Sequence, residues 1–145
     1  MNMLRNWTAV VLLLCASWAG AQERAYKEGT VTVVTSVKVV DGQFENYMRY
    51  LAANWRPVNE EARKAGEIVD YHVYGANPRS PQEPDMYLVV TYPNMAAFDG
   101  MDARMEPILA KLTKQTMQQR EDAAGKRVVT RTILGSEMLR ELVFK

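Results

Sequence analysis

One cysteine and one histidine are the only thiol and the only imidazole in 145 residues, which leaves little for metal chemistry. A metal site needs several ligands at fitting spacing, and no such cluster is visible, so no metal is expected. Net charge is almost absent too, with 18 Lys and Arg against 17 Asp and Glu, a formal +1. That balance gives no field to gather nucleic acid or an anionic membrane surface. The chain also lacks a glycine-rich phosphate cradle, a nucleophile elbow and a basic-aromatic stripe, which removes nucleotide-binding loops and hydrolase elbows from consideration. No internal repeat or low-complexity stretch occurs. What is there, 48% hydrophobic and 24% charged residues, is the make-up of one globular domain.

The first 21 residues differ from the rest. Arg5 is the only charge before Glu23, and Trp7 to Trp18 is a short apolar run that exits through Ala19-Gly20-Ala21. A basic start, an apolar core and an Ala-x-Ala exit describe a secretory signal peptide. Two other readings share the segment: a retained anchor, since the uncharged run just reaches spanning length, and lipidation at Cys15. Leu14 speaks against the second, because a small residue normally precedes an acylated cysteine. The expectation is therefore a signal peptide over 1–21 and a single domain over 22–145, periplasmic or secreted, with no membrane contact after cleavage. Cleavage removes Cys15, so the domain has no disulfide and its core holds it together unaided.

Beyond Ala21 the pattern alternates between periods of two and of three to four. Thr30 to Val40 predicts a strand with Val31, Val33, Val37 and Val39 on one face. Asp41 is placed to cap a helix whose apolar stripe runs Phe44, Met48, Leu51, Trp55, Val58, Ala62 and Ala65, with Gly66 as its stop and a kink near Pro57. A second strand is predicted over Glu67 to Gly75. The segment Ala76 to Pro84 carries three prolines and reads as a stiff, extended loop. Asp85 to Tyr92 is the third strand, after which Pro93-Asn94 opens a helix through Leu112 that Gly100 and Pro107 weaken. Lys114 to Lys126 reads as helical. Arg127 to Leu134 stays open between helix tail and strand, Gly135-Ser136 between hairpin turn and helix end, and the last strand is set at Ser136 to Phe144.

Strand, helix, strand, strand, helix, strand is the ferredoxin-like order: an α+β fold, βαββαβ, with two helices on one face of a four-stranded antiparallel sheet. The face left uncovered would carry Val34, Ile68, Tyr74, Tyr87 and Val89 with Asp70, His72 and Thr91. That mixture is too apolar for a solvated face and too polar for a core, so a second sheet is expected to close over it. Two such sheets make a homodimer with a lined cavity.

The segment Val31 to Phe98 resembles the dimeric α/β-barrel superfamily, which includes antibiotic-biosynthesis-monooxygenase-like and NIPSNAP-like domains. The resemblance is carried by the early strand, Asn54-Trp55-Arg56-Pro57 on the long helix, the Lys64-Ala65-Gly66 exit, Asp70-Tyr71-His72-Val73-Tyr74, and Tyr87 to Phe98. It implies a homodimer and a cavity used, across members, for cofactor-free oxygenation, haem breakdown, isomerisation or no known chemistry. Haem-degrading members use an Asn on the first strand and a Trp and an axial His on the second helix. This chain has neither that Asn nor that His, and its Trp55 lies on the first helix, so no cofactor is expected.

The candidate residues follow from this layout. His72 is the only imidazole and shares a strand face with Asp70 and Tyr74, so a carboxylate beside it can raise its basicity for general-base work. A cross-strand hydrogen-bond group at a dimer interface is the plainer reading of the same three residues. Asn54, Trp55, Tyr74 and Tyr87 supply the residue types that the resemblance associates with a small apolar or aromatic ligand, while Trp55 also fits the helix stripe as core. The functional expectation is an exported small-ligand-binding or interaction protein, with a cofactor-independent monooxygenase or isomerase using His72 and Asp70 as the alternative.

Overall fold

A computed structural model describes residues 23–145, and the expected signal sequence with Cys15 lies outside them. Four antiparallel strands, β1 (Tyr26–Val39), β2 (Asp70–Gly75), β3 (Met86–Tyr92) and β4 (Arg131–Phe144), form one sheet in the order β2-β3-β1-β4. This is the ferredoxin-like α+β arrangement the element order predicts.

Alternation decides the two faces. Val31, Val37 and Val39 of β1 are buried at 0%, 0% and 6% exposure, and the register Val37↔Met86 and Thr35↔Leu88 continues that face onto β3. Val37, Val39, Met86 and Leu88 meet Tyr47 and Leu51 of the first helical segment to make the core. The opposite face is set by Thr32↔Thr91, Val34↔Val89 and Ser36↔Tyr87, and among the described residues no helix packs on it. Ile68 does not belong there as expected: it is 5% exposed and precedes β2, which starts only at Asp70, while Val69 is 49% exposed. Gly66, at φ +77°, turns the chain so sharply that strand alternation has not begun at these two residues.

The long helix of the sequence pattern is three pieces, α1 (Phe44–Tyr50), a π-helical turn (Leu51–Trp55) and α2 (Arg56–Lys64). The distortion expected from Pro57 is spent just before it. Pro57 has no N–H for the Ala53 carbonyl, and the backbone widens over the preceding turn. Two side-chain amides donate to carbonyls there: Asn54 Nδ2 to Tyr50 O at 3.1 Å and Asn59 Nδ2 to Trp55 O at 2.8 Å. Asp41 is not the cap. It sits in a turn with Gly42 at φ +76°, and Gln43 occupies the cap position without a side-chain bond to the helix backbone.

Further on, Asn94 does cap, but a 3-10 turn (Met95–Phe98), accepting from Ala97 N at 3.2 Å. Gly100 at φ +65° then separates that turn from α3 (Met101–Thr113), the split its weak helix propensity forecasts. A capping box between Thr116 and Gln119 starts α4 (Met117–Lys126). The open stretch resolves into a 3-10 turn (Arg127–Val129) followed by β4, which begins at Arg131 and runs straight through Gly135-Ser136. No hairpin forms there. Leu134 is instead an unpaired bulge residue between Ile133↔Val37 and Gly135↔Ser36. The proline-rich loop is tighter than expected: Ala76 N bonds Asp85 O at 2.7 Å and Glu83 N bonds Ser80 O at 3.1 Å, so it closes as a turn.

Asp85 ties the end of β1 to the start of β3. Its carboxylate accepts from Lys38 Nζ at 2.8 Å and from Val39 N at 2.9 Å, and the Lys38 bond chiefly holds its pKa below the usual range. A depressed folded-state pKa means stability present above the unfolded value near ~3.9 and lost as pH falls through the folded one. Asp85→Asn is expected to cost about 1–2 kcal/mol at neutral pH. Urea unfolding at pH 7 and at successively lower pH checks this, since the loss should shrink as the carboxylate takes up its proton; a loss that stays the same across the acid range would show that the charge is not what matters.

Candidate functional site

The six candidate residues fall on two sides of the sheet. Asp70, His72 and Tyr74 alternate along the edge strand β2 and face Thr91, Val89 and Tyr87 across the ladder, so four candidates share the uncovered face. His72 Nε2 lies 3.1 Å from Asp70 Oδ2, and the His72 and Tyr74 rings are 5.6 Å apart, centroid to centroid.

The carboxylate is not reserved for the imidazole. Asp70 Oδ1 accepts the Tyr71 N–H at 2.9 Å and lies 3.6 Å from Arg63 Nη1. The backbone bond chiefly lowers the Asp70 pKa, with His72 and Arg63 adding to it. Both side chains of the pair are about half exposed, 50% and 45%, on an edge strand of the single chain. The pair has the contacts of a polar clasp, and general-base catalysis would need further walls to exclude water.

Asn54 and Trp55 lie on the helix side, at a cavity of about 580 Å³ between the π turn and the α3–α4 pair. Tyr50, Trp55, Val58 and Leu109 give it apolar walls. Trp55 also packs on the core and meets the Tyr71 ring edge-on at 5.3 Å, so its core and cavity readings are both realised. The π turn is what admits this double role. A widened turn shifts the stripe that a regular helix would keep on the core, and such turns recur at functional sites.

The polar groups of the cavity are few. Asn54 spends its amide N–H on Tyr50 O and keeps its oxygen as an acceptor, while Thr113 Oγ1 donates back to Leu109 O at 2.8 Å. Arg120, with its side chain 15% exposed, is ion-paired to Glu106 and donates to Gln115 O at 2.7 Å. Arg127 sits over the Tyr50 ring with its guanidinium carbon 4.6 Å from the centroid.

Sequence reasoning missed Tyr50, Gln115, Arg120 and Arg127. The last three lie beyond Thr113, where no site residue was named, yet a signal was present: Arg120, Ala123 and Arg127 step by three and four, which puts them on one side of α4 and the residue that closes it. Among the described residues no group of three or more His, Cys, Asp or Glu is placed to hold a metal, and no helix is long and apolar enough to cross a membrane.

No family model matches the chain, and no curated protein does. Among solved structures it is similar to HapK from Hahella chejuensis, at 15% identity and a TM-score of 0.49 over 77% of this chain and 91% of that one. It is also similar to protein SO0527 from Shewanella oneidensis, at 18% identity and a TM-score of 0.47 over 81% of this chain and 98% of that one.

Proposed function

We propose that this chain is an exported small-ligand-binding protein of the dimeric α/β-barrel type, with its ligand in the helix-side cavity and its uncovered sheet face as the homodimer contact. The cavity carries the reading. About 580 Å³ falls inside the range of small-molecule sites, and apolar walls with a few converging polar groups are their usual chemistry. The uncovered face, with Val34, Tyr74, Tyr87, Val89 and Leu139 in register across four strands, supports the dimer. In that arrangement Asp70 and His72 serve as a polar clasp at the contact, which the several partners of Asp70 favour over a catalytic pair.

Trp55 is the only tryptophan beyond the first 21 residues and therefore a built-in reporter. N-phenyl-1-naphthylamine, a neutral apolar fluorophore, should bind saturably and take up excitation energy from Trp55. Leu109→Trp puts a bulky indole into the apolar wall and should weaken that binding tenfold or more while leaving the helical circular dichroism signal intact. Absence of saturable binding, or binding indifferent to Leu109→Trp, would overturn the reading.

A further inference from the structure

The charges around the helix-side cavity are of one sign. No Asp or Glu lines it, whereas Arg120 and Arg127 both do. The two cations differ in state. Arg120 is already neutralised by Glu106 and braced on the Gln115 carbonyl. Arg127 has no carboxylate partner among the described residues, and its guanidinium rests on the Tyr50 ring. Stacking of this kind holds the flat guanidinium in place while leaving its N–H edge to bond outward. A planar fork held in this way matches a carboxylate, which it can bind through two parallel hydrogen bonds.

We propose that the cavity selects a small aromatic monoanion of the aryl-carboxylate class, with the ring against Trp55 and Leu109 and the carboxylate on Arg127. The assignment rests on the ligand-binding reading above and deepens it. A neutral ligand of the same shape leaves Arg127 without a counter-charge, and a cationic one meets two guanidinium groups, of which only one is compensated. Asn54, whose amide oxygen remains free to accept, suits a hydroxyl or ring N–H on the same ligand. Arg127 is thus a specificity-determining residue, and Arg120 with Glu106 fixes the α4 wall that presents it.

Calorimetric titration with 2-naphthoate, 2-naphthylmethanol and 2-naphthylmethylamine tests the charge selection on one ring system. The expected order is naphthoate at least tenfold tighter than the alcohol, with the amine weakest. Arg127→Met keeps an unbranched side chain over Tyr50 and removes the charge; it should weaken naphthoate tenfold or more and the alcohol by much less, with Arg127→Lys recovering part of the naphthoate loss. Equal affinity for acid and alcohol, or equal losses of both in Arg127→Met, overturns the anion assignment while the cavity stands. Failure of all three ligands where N-phenyl-1-naphthylamine still binds does the same. Failure of that neutral probe as well brings down the ligand-binding reading itself.

Discussion

Val34→Asp is expected to turn the proposed homodimer into a monomer at micromolar concentration. Val34 lies on a central strand of the sheet, on the uncovered face, with Val89 beside it on β3 and Glu137 beside it on β4. In the single chain the new carboxylate still reaches water, because no helix among the described residues covers this face. Under a second sheet it loses that water and finds Glu137 as its neighbour, a like charge, so it has no partner to offset its burial. An uncompensated charge at a closed contact costs about 3–5 kcal/mol, which is roughly two to four powers of ten in the dimer dissociation constant. Sedimentation equilibrium of the unmodified and substituted proteins decides it, with circular dichroism to confirm that the monomer remains folded. Binding of N-phenyl-1-naphthylamine should survive, because the cavity lies on the helix side of the sheet. An unmodified protein that sediments as a monomer ends the dimer proposal, and so does a Val34→Asp protein that stays dimeric.

Where a face is buried against the rest of the chain, the sequence announces it. The valines of β1 alternate because one side meets Tyr47 and Leu51, and that period of two was readable from Val31 to Val39. β4 is the counter-example. Ile133, Leu134, Met138, Leu139, Leu142 and Phe144 are all 42–84% exposed in the single chain, on both faces of an edge strand. With no buried side to enforce alternation, and a bulge at Leu134 that swaps the faces midway, the pattern marked the strand only from Ser136 to Phe144 and left its first half, from Arg131, open. The candidate site was legible to a similar extent. Asp70, His72, Tyr74 and Tyr87 do share a face, since strand alternation is a local property. Asn54 and Trp55 were assigned to the same ligand but lie across the sheet from it. Their place depends on the π turn; the three-four step of Arg120 and Arg127 shows that they share a side, while the path of the chain that brings Arg127 onto the Tyr50 ring is not expressed by a periodicity.

Truncation at Leu51 is expected to cost the most stability of any single change that leaves the cavity lining untouched. Leu51 is 3% exposed, opens the π turn, and packs with Val37, Val39, Tyr47, Met86 and Leu88 where the helix crosses β1 and β3. Leu51→Ala removes three carbons from that cluster, and backbone flanked by a π turn on one side and α1 on the other has little freedom to collapse into the space. A loss of about 3 kcal/mol follows, equivalent to roughly 10 °C in Tm for a domain of this size. Leu51→Met keeps the volume and should lose less than about 1.5 kcal/mol. Leu112, 36% exposed at the end of α3, gives the control, since its truncation should stay within about 0.5 kcal/mol. The same substitution reaches function through Trp55, one helical turn along. A loosened π turn should broaden the Trp55 emission and weaken probe binding several-fold even at temperatures where Leu51→Ala remains fully folded. Thermal unfolding followed at 222 nm and by Trp55 emission separates the two effects, and a Leu51→Ala protein that melts within 2 °C of the unmodified one would mean the helix does not seat on the sheet through this residue.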